Sequence, residues 1–264
     1  MSQQHGIKDD PNLGGDKKAL LMRLQNMNSS ESIVGKHSPR YTMELIHTVY
    51  VPAGKGPHPT ILTLHGRGAS AFDLLGLAPY LCGGRFLMIC PQGPLEMPIG
   101  PEASGYAWYP MSMGGPPDIA AILVSRQRLQ QFLDECLAQY PIDAKKFAAL
   151  GFSQGGVMAY SLALSVPDRF AGLAALSSWL PPELVPQLSL GNSARTLPIL
   201  VQHGTQDSTI EVERARRSVE TLREARLPVS YREYEMGHEI RPRSLSDLSA
   251  WFDEKVLSRI VLAN

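Results

Sequence analysis

The sequence predicts an α/β fold in which a mainly parallel central sheet is covered by helices on both faces. From residue 41 onward, short apolar runs alternate with longer segments of helical periodicity, which is typical of strand–helix–strand units. Several of these runs are continuously apolar, as parallel strands buried on both faces are. Hydrophobic residues make up 44% of the 264-residue chain and charged residues 19%, which excludes a disordered or collagen-like protein.

Local patterns define the individual elements. The predicted strands are Leu45–Val51, Thr60–Leu64, Phe86–Cys90, Phe147–Leu150, Gly172–Leu176, Ile199–Gln202 and Val229–Tyr234. The predicted helices are Ile119–Ala138, Gln154–Ser165, Glu211–Arg226 and Leu245–Leu257. In the first of these helices the apolar side chains recur every three or four residues, so that one face can pack on a core.

The chain is predicted to divide at about residue 40. Residues 41–264 contain no stretch that resembles a linker, and we expect them to form one domain. Residues 1–40 are rich in Gly, Asn, Ser, Gln and Lys, which indicates an N-terminal extension that is partly flexible. Its apolar patch, Ala19–Leu24, fits either a short helix that begins near Asp16 or one helical turn in a mobile tail.

Charge and cysteine usage narrow the class of protein. Lys+Arg and Asp+Glu both number 25, and a chain without a basic excess is a poor candidate for binding nucleic acid. No apolar run approaches the ~18–20 residues that span a bilayer, so we expect no membrane span. Cys82, Cys90 and Cys136 have neither a paired nor a metal-binding spacing, which favours a reducing, cytoplasmic location.

One proline-rich segment interrupts the alternation of strands and helices. The segment Pro91–Pro117 is predicted to be a long loop, and its Met and aromatic side chains suit the wall of an apolar binding site. The alternative is an ordered crossover that only packs on the core.

A candidate nucleophile lies at Gly151-Phe152-Ser153-Gln154-Gly155. The segment matches the pattern G-x-S-x-G, in which the serine occupies a sharp turn between a strand and a helix. The predicted strand before it and the predicted helix after it supply that context. The alternative is a glycine-rich turn with an incidental serine.

A serine at its ordinary pKa needs a base, and in this architecture the chain order is Ser, then Asp or Glu, then His. His238 alone follows Ser153 in a loop after a late strand, whereas His203 ends an apolar run and is expected to be fixed by backbone bonds. Asp207 directly follows a strong strand and is the candidate acid. The alternatives are an exposed loop histidine and an aspartate that only stabilises a turn.

The transition state also needs donors for its oxyanion. The backbone N–H of Gln154, the residue after the nucleophile, is one candidate. The N–H of Arg67, within Leu64-His65-Gly66-Arg67-Gly68, is the other, because the glycines let the backbone turn inward.

Together, the segments Leu64-His65-Gly66-x-Gly68, Gly151-Phe152-Ser153-Gln154-Gly155-Gly156, His203-Gly204-x-x-Asp207 and Gly237-His238 resemble the phospholipase/carboxylesterase family of α/β-hydrolases, which includes acyl-protein thioesterases. The resemblance covers roughly residues 41–258. It implies an α/β-hydrolase fold, a Ser153/Asp207/His238 triad, oxyanion donors at Arg67 and Gln154, no cofactor or metal, and in many members a homodimer.

These observations predict a serine esterase that hydrolyses short-to-medium acyl esters of small molecules through an acyl-enzyme. Candidate substrate-binding side chains are those of Trp108, Tyr109, Trp179 and Ile210, since each lies on a loop expected at the carboxyl ends of the strands. Acyl thioesterase or lysophospholipase activity would use the same triad. A non-catalytic, hydrolase-like binding protein is the alternative from another class.

Overall fold

The computed structural model describes residues 43–111 and 115–258, which belong to one compact unit. The extension predicted for residues 1–40, including the apolar patch Ala19–Leu24, lies outside the described residues. The boundary at residue 40 therefore stays a prediction.

A seven-stranded sheet forms the centre of the fold, and a separate hairpin lies beside it. In chain order the strands are β1 (His47–Tyr50), β2 (His58–Leu64), β3 (Leu87–Pro91), β4 (Leu95–Gly100), β5 (Ala103–Ala107), β6 (Ile142–Phe152), β7 (Gly172–Leu176), β8 (Ile199–Gly204) and β9 (Val229–Tyr234). The sheet order is β1-β3-β2-β6-β7-β8-β9. All neighbours are parallel except β1, which runs antiparallel to β3 at the edge. The predicted α/β fold with a mainly parallel sheet is confirmed.

The four α-helices are α1 (Ile119–Gln139), α2 (Gln154–Ala163), α3 (Val212–Glu224) and α4 (Pro242–Phe252), and α4 continues into a π-helical turn, Asp253–Leu257. The carboxylate of Asp118 caps α1 by accepting the N–H of Ala121 at 2.9 Å. The helix ends before Pro141, since a proline disfavours helical backbone in the residue before it. Every residue of α2 is buried, so α2 is the helix at the centre of the core.

Most elements lie where the pattern predicts them, and Gly172–Leu176 and Val229–Tyr234 agree to the residue. Strand β6 begins at Ile142, five residues before the predicted start. Its first residues are partly exposed and polar, so they lack the apolar continuity from which the strand was predicted.

The prediction of a long loop over Pro91–Pro117 was wrong in part, because β4 and β5 form a hairpin within it. The hairpin also pairs with the loop after β2: the N–H of Gly68 donates to Tyr106 O, and the N–H of Tyr106 donates to Ala69 O, both at 2.8 Å. The hairpin was missed because its strands are held by pairing with each other and with this loop, which a local sequence pattern does not show.

The central parallel strands end at one edge of the sheet. Strands β2, β6, β7 and β8 run in the same direction, and the segments that follow them carry the candidate site residues. In open α/β sheets this edge is where ligands bind.

Candidate active site

Ser153 occupies the turn between β6 and α2. Its backbone has φ 54° and ψ −119°, a left-handed conformation that is rare for a residue with a side chain. The flanking glycines make this turn possible, because a Cβ at Gly151 would overlap Gly155 O and a Cβ at Gly155 would overlap Leu64 O. Sequence and backbone thus agree on a strained strand-to-helix turn that presents Ser153.

Backbone contacts hold this turn against the neighbouring strands. The Ser153 N–H donates to Leu176 O at 2.9 Å, and the Ser178 hydroxyl donates to Ser153 O at 2.7 Å. A Cβ built on Gly66 would lie 3.4 Å from the Cβ of Ser153, so the loop after β2 lies directly beside the serine. Nothing in the sequence singles out Ser178, since the contact depends on how β7 ends.

Asp207 and His238 are hydrogen-bonded to each other. Nδ1 of His238 lies 2.8 Å from Oδ2 of Asp207, while Oδ1 accepts the N–H groups of Thr209 at 2.9 Å and Ile210 at 2.8 Å. Asp207 therefore stabilises a turn and also hydrogen-bonds to His238. From the sequence alone these two roles were alternatives.

Burial alone would raise the pKa of the Asp207 carboxyl. Hydrogen bonds from His203, His238 and the Ile210 N–H outweigh that effect and hold this pKa well below its ordinary value. His203 is completely buried and its Nε2 lies 2.7 Å from Ile210 O and 3.3 Å from Oδ2 of Asp207. The predicted backbone bond of His203 is present, and the contact with Asp207 is an addition that the sequence did not suggest.

Aromatic packing brings His238 to the serine turn. The His238 ring lies 4.9 Å from the ring of Phe152, the residue before Ser153. The loops after β8 and β9 meet closely, since a Cβ at Gly204 would overlap Met236 O. Three loops from three strands thus place His238 between Asp207 and Phe152, the neighbour of Ser153 in the chain.

Gln154, the first residue of α2, is fixed on both sides of its amide. Its Oε1 accepts the N–H of Trp108 at 2.8 Å, and its Nε2 donates to Tyr109 O at 2.7 Å. As the first residue of a helix, Gln154 has a backbone N–H without an intrahelical acceptor. That donor adjoins Ser153.

Arg67 follows His65 and Gly66 in the loop after β2, with an exposed side chain. In the described part of the chain, no backbone hydrogen bond uses the Arg67 N–H. The loop is held by His65, whose Nδ1–H donates to Gly66 O at 2.7 Å and whose Nε2 accepts the N–H of Gly93 at 2.9 Å. This pattern requires a neutral ring, and burial lowers the pKa of His65 to about 4.

The structure differs from expectation for the predicted substrate-binding side chains Trp108, Tyr109 and Ile210. Trp108 is 1% exposed and Tyr109 0%, and Trp108 Nε1 donates to His65 O at 2.9 Å. Ile210 is also buried, and its N–H and carbonyl hold Asp207 and His203. These three residues support the site from beneath, because their surfaces are taken up by packing. Their contact with substrate stays a prediction.

Trp179 lines a cavity of about 340 Å³. The Arg214 guanidinium lies over its ring, 4.5 Å from the centroid. Sequence reasoning missed Arg214, since α3 alternates arginine and glutamate and resembles a solvated helix face.

The described residues also bear on two other kinds of function, metal binding and insertion into a membrane. Within residues 43–111 and 115–258, no cluster of three His, Cys, Asp or Glu side chains is arranged to hold a metal ion. Among the helices of the same residues, none has the length and hydrophobicity needed to cross a bilayer.

The fold is that of an α/β-hydrolase. Comparison with known proteins agrees: a family model described as phospholipase/carboxylesterase matches residues 46–255. The chain belongs to the phospholipase/carboxylesterase family and is an enzyme that hydrolyses ester bonds.

Several relatives and solved structures to which the chain is similar carry the names of esterases or thioesterases. It is 27% identical over 241 residues to acyl-protein thioesterase 1 of Mycosarcoma maydis, covering 81% of this chain and 99% of the relative. A probable carboxylesterase SOBER1-like of Arabidopsis thaliana is 27% identical over 150 residues, 56% of this chain and 57% of the relative. The Bacillus cereus carboxylesterase structure has a TM-score of 0.68 at 21% identity, covering 80% of this chain and 94% of that one.

Proposed function

We propose that this chain is a serine carboxylesterase that cleaves short-to-medium acyl esters by way of an acyl-enzyme. The observation that carries the proposal is the 2.8 Å contact between His238 Nδ1 and Asp207 Oδ2 beside the strained turn of Ser153. Membership of the family indicates that the reaction is ester hydrolysis. Ser153, His238 and Asp207 would supply the nucleophile, the base and the acid.

In the proposed first half-reaction, Oγ of Ser153 attacks the ester carbonyl and Nε2 of His238 takes its proton. Asp207 holds the imidazole in the tautomer that leaves Nε2 free to accept, and stabilises the imidazolium that forms. The backbone N–H groups of Gln154 and Arg67 bind the oxyanion. His238 then protonates the leaving alcohol.

In the second half-reaction, water attacks the acyl-enzyme and gives its proton to His238. The same two N–H groups bind the second oxyanion. Collapse of this intermediate releases the carboxylic acid and returns the proton to Ser153.

The short-to-medium acyl range is supported by the cavity that Trp179 lines, since the neighbouring residue, Ser178, hydrogen-bonds to Ser153 O. About 340 Å³ lies near the lower end of the ~300–1,000 Å³ typical of ligand sites. Trp179, 5% exposed, forms part of its wall, and a packed indole has little room to retreat. Each additional methylene that fits adds up to about 0.8 kcal/mol of binding, and each one that does not fit reverses the gain.

Thioester hydrolysis is the second candidate, since a relative that matches most of the chain is named an acyl-protein thioesterase. The test is a hydrolysis panel of oxygen esters with two to twelve acyl carbons, matched thioesters and a lysophospholipid. We expect the highest kcat/KM for oxygen esters of two to six carbons. A maximum at twelve carbons, or a large preference for thioesters, would contradict the proposed substrate range, and turnover of none of them would favour a non-catalytic binding protein.

A further inference from the structure

The cavity that Trp179 lines contains two arginines and one acidic side chain. Its lining includes Trp179, Arg214, Arg217 and Glu183. Arg217 and Glu183 are both exposed. Arg214 is partly buried, and among the described residues its guanidinium has neither a hydrogen bond nor an ion pair; it lies over the face of Trp179.

Arg214 differs from Arg216 of the same helix in its partners. Arg216, two residues away, binds Glu233 through Nε and Nη2, both at 2.8 Å, and also contacts Glu213 at 3.1 Å. Arg214 points to the opposite side of the helix, towards the cavity. The guanidinium of arginine is always charged, and when it stacks on an indole its N–H groups remain available to bind a carboxylate.

A chain of hydrogen bonds fixes Arg214 relative to Ser153. The Ser178 hydroxyl donates to Ser153 O at 2.7 Å. Two residues later, the N–H of Leu180 donates to Oγ of Ser218 on α3 at 2.8 Å, and that Oγ donates to Arg214 O at 2.7 Å. The arginine and the nucleophile are therefore parts of one connected framework, with Trp179 between them.

A second polar group, near Arg214, lacks a hydrogen-bond partner. The Tyr109 side chain is completely buried, and its hydroxyl has no hydrogen-bond partner within the described residues. Burial raises the pKa of Tyr109, and the charge of Arg214 opposes that rise, so the two groups are electrostatic neighbours.

We propose that Arg214 is a specificity-determining residue that binds a carboxylate at the far end of the acyl group, so that the preferred substrates are monoesters of short dicarboxylic acids. This inference rests on the proposed esterase function. Trp179 packs along the methylenes of the acyl chain, and the Arg214 guanidinium binds the terminal carboxylate. Hydrolysis then releases a dicarboxylate and an alcohol.

The test compares two nitrophenyl esters of equal acyl length, the anionic 4-nitrophenyl hydrogen glutarate and the neutral 4-nitrophenyl valerate. The measured quantity is the ratio of kcat/KM for the anionic ester to that for the neutral one. A charge-assisted hydrogen bond to arginine contributes about ten- to hundredfold, so we expect Arg214→Gln to lower the ratio by that factor and Arg214→Lys to lower it less. The matched control Arg216→Gln, which removes the same charge from the same helix, should leave the ratio unchanged.

Binding of glutarate provides a readout that does not depend on turnover. Titration calorimetry should show glutarate binding to the full-length protein and at least tenfold weaker binding to Arg214→Gln, with unfolding curves confirming that the variant is folded. An unchanged ester ratio in Arg214→Gln, or equal glutarate affinity in the two proteins, would overturn the inference. Absence of ester turnover together with Arg214-dependent glutarate binding would refute the proposed esterase and leave the anion site standing.

Discussion

Oδ2 of Asp207 lies 2.8 Å from Nδ1 of His238, and the backbone N–H groups of Thr209 and Ile210 occupy the other carboxylate oxygen. The two residues come from loops after different strands. The carboxylate of Asp207 is held by the backbone of its own turn, independently of its contact with His238. The pair is thus preorganised by local backbone as well as by its mutual contact.

Asp207→Asn should lower kcat for a soluble short-chain ester by about a thousandfold or more, since the amide no longer favours the tautomer and charge that His238 needs. Steady-state kinetics on the purified variant measure the effect. Asp247→Asn is the matched control, because Asp247 lies within α4, is paired with Arg232 and has no proposed role in the chemistry. A fall of less than tenfold in Asp207→Asn would mean that another group orients His238.

Stability should fall as the pH drops from about 6.5 to about 4, because His65 is held neutral. The pKa of His65 is about 4 in the folded chain and ~6.5 in an unfolded one. Between these two pH values His65 is therefore protonated in the unfolded state and neutral in the folded state, and protonation favours unfolding. The contribution of His65 is fully present above pH 6.5, and its loss by pH 4 amounts to about 3 kcal/mol.

Urea unfolding of the wild type and His65→Gln across this pH range measures the contribution. We expect a flatter pH dependence in the variant, since glutamine can also donate to Gly66 O and accept from Gly93 without titrating. Parallel curves for the two proteins would show that the pH dependence comes from other groups.

Trp179→Ala should move the acyl-length optimum upward, because removal of the indole enlarges the cavity that Trp179 lines. We expect kcat/KM to rise for esters of eight or more carbons and to fall for two to four. The variant should also lose about 3–5 kcal/mol of unfolding free energy. Trp179→Phe, with a smaller ring, should lie between the two proteins, and an unchanged chain-length profile in both variants would show that this wall does not contact the acyl group.

Deletion of residues 1–40 should leave kcat on a small soluble ester within a few-fold of the full-length value. All residues with a proposed role lie between Arg67 and His238, and the family match begins at residue 46. Kinetics and unfolding of the shortened chain are compared with those of the intact protein. Loss of kcat in a shortened chain that still folds would assign part of the active site to the extension.

The sequence predicts the parallel sheet and the elements that carry Ser153, Asp207 and His238, because continuous apolar runs and glycine-containing turns are local signals. The β4–β5 hairpin was missed, although apolar residues at Leu95, Met97 and Ile99 alternate with Glu96 and Pro98. Its strands are held by a partner across the hairpin and by the loop at Gly68–Ala69, and such pairing is absent from a local pattern.

The side chains around the site were harder to predict than its backbone. Trp108 and Tyr109 follow a strand end, as pocket residues do, but the side chain of Gln154 hydrogen-bonds to their backbone and their rings turn into the core. Arg214 shows the opposite error: it lines a cavity, but in the sequence it resembles the solvated charged residues beside it on α3. Burial and direction depend on tertiary packing, which neither composition nor periodicity encodes.

The central claim is that Ser153 is the nucleophile, and covalent labelling tests it most directly. The protein is treated with a fluorophosphonate and analysed by intact-mass and peptide mass spectrometry. We predict one phosphonyl adduct per chain, located on Ser153, absent from Ser153→Ala and retained in Ser165→Ala, a serine at the end of α2 that donates to Leu162 O. A wild-type chain that stays unlabelled, or an adduct that persists in a folded Ser153→Ala variant, would contradict the account.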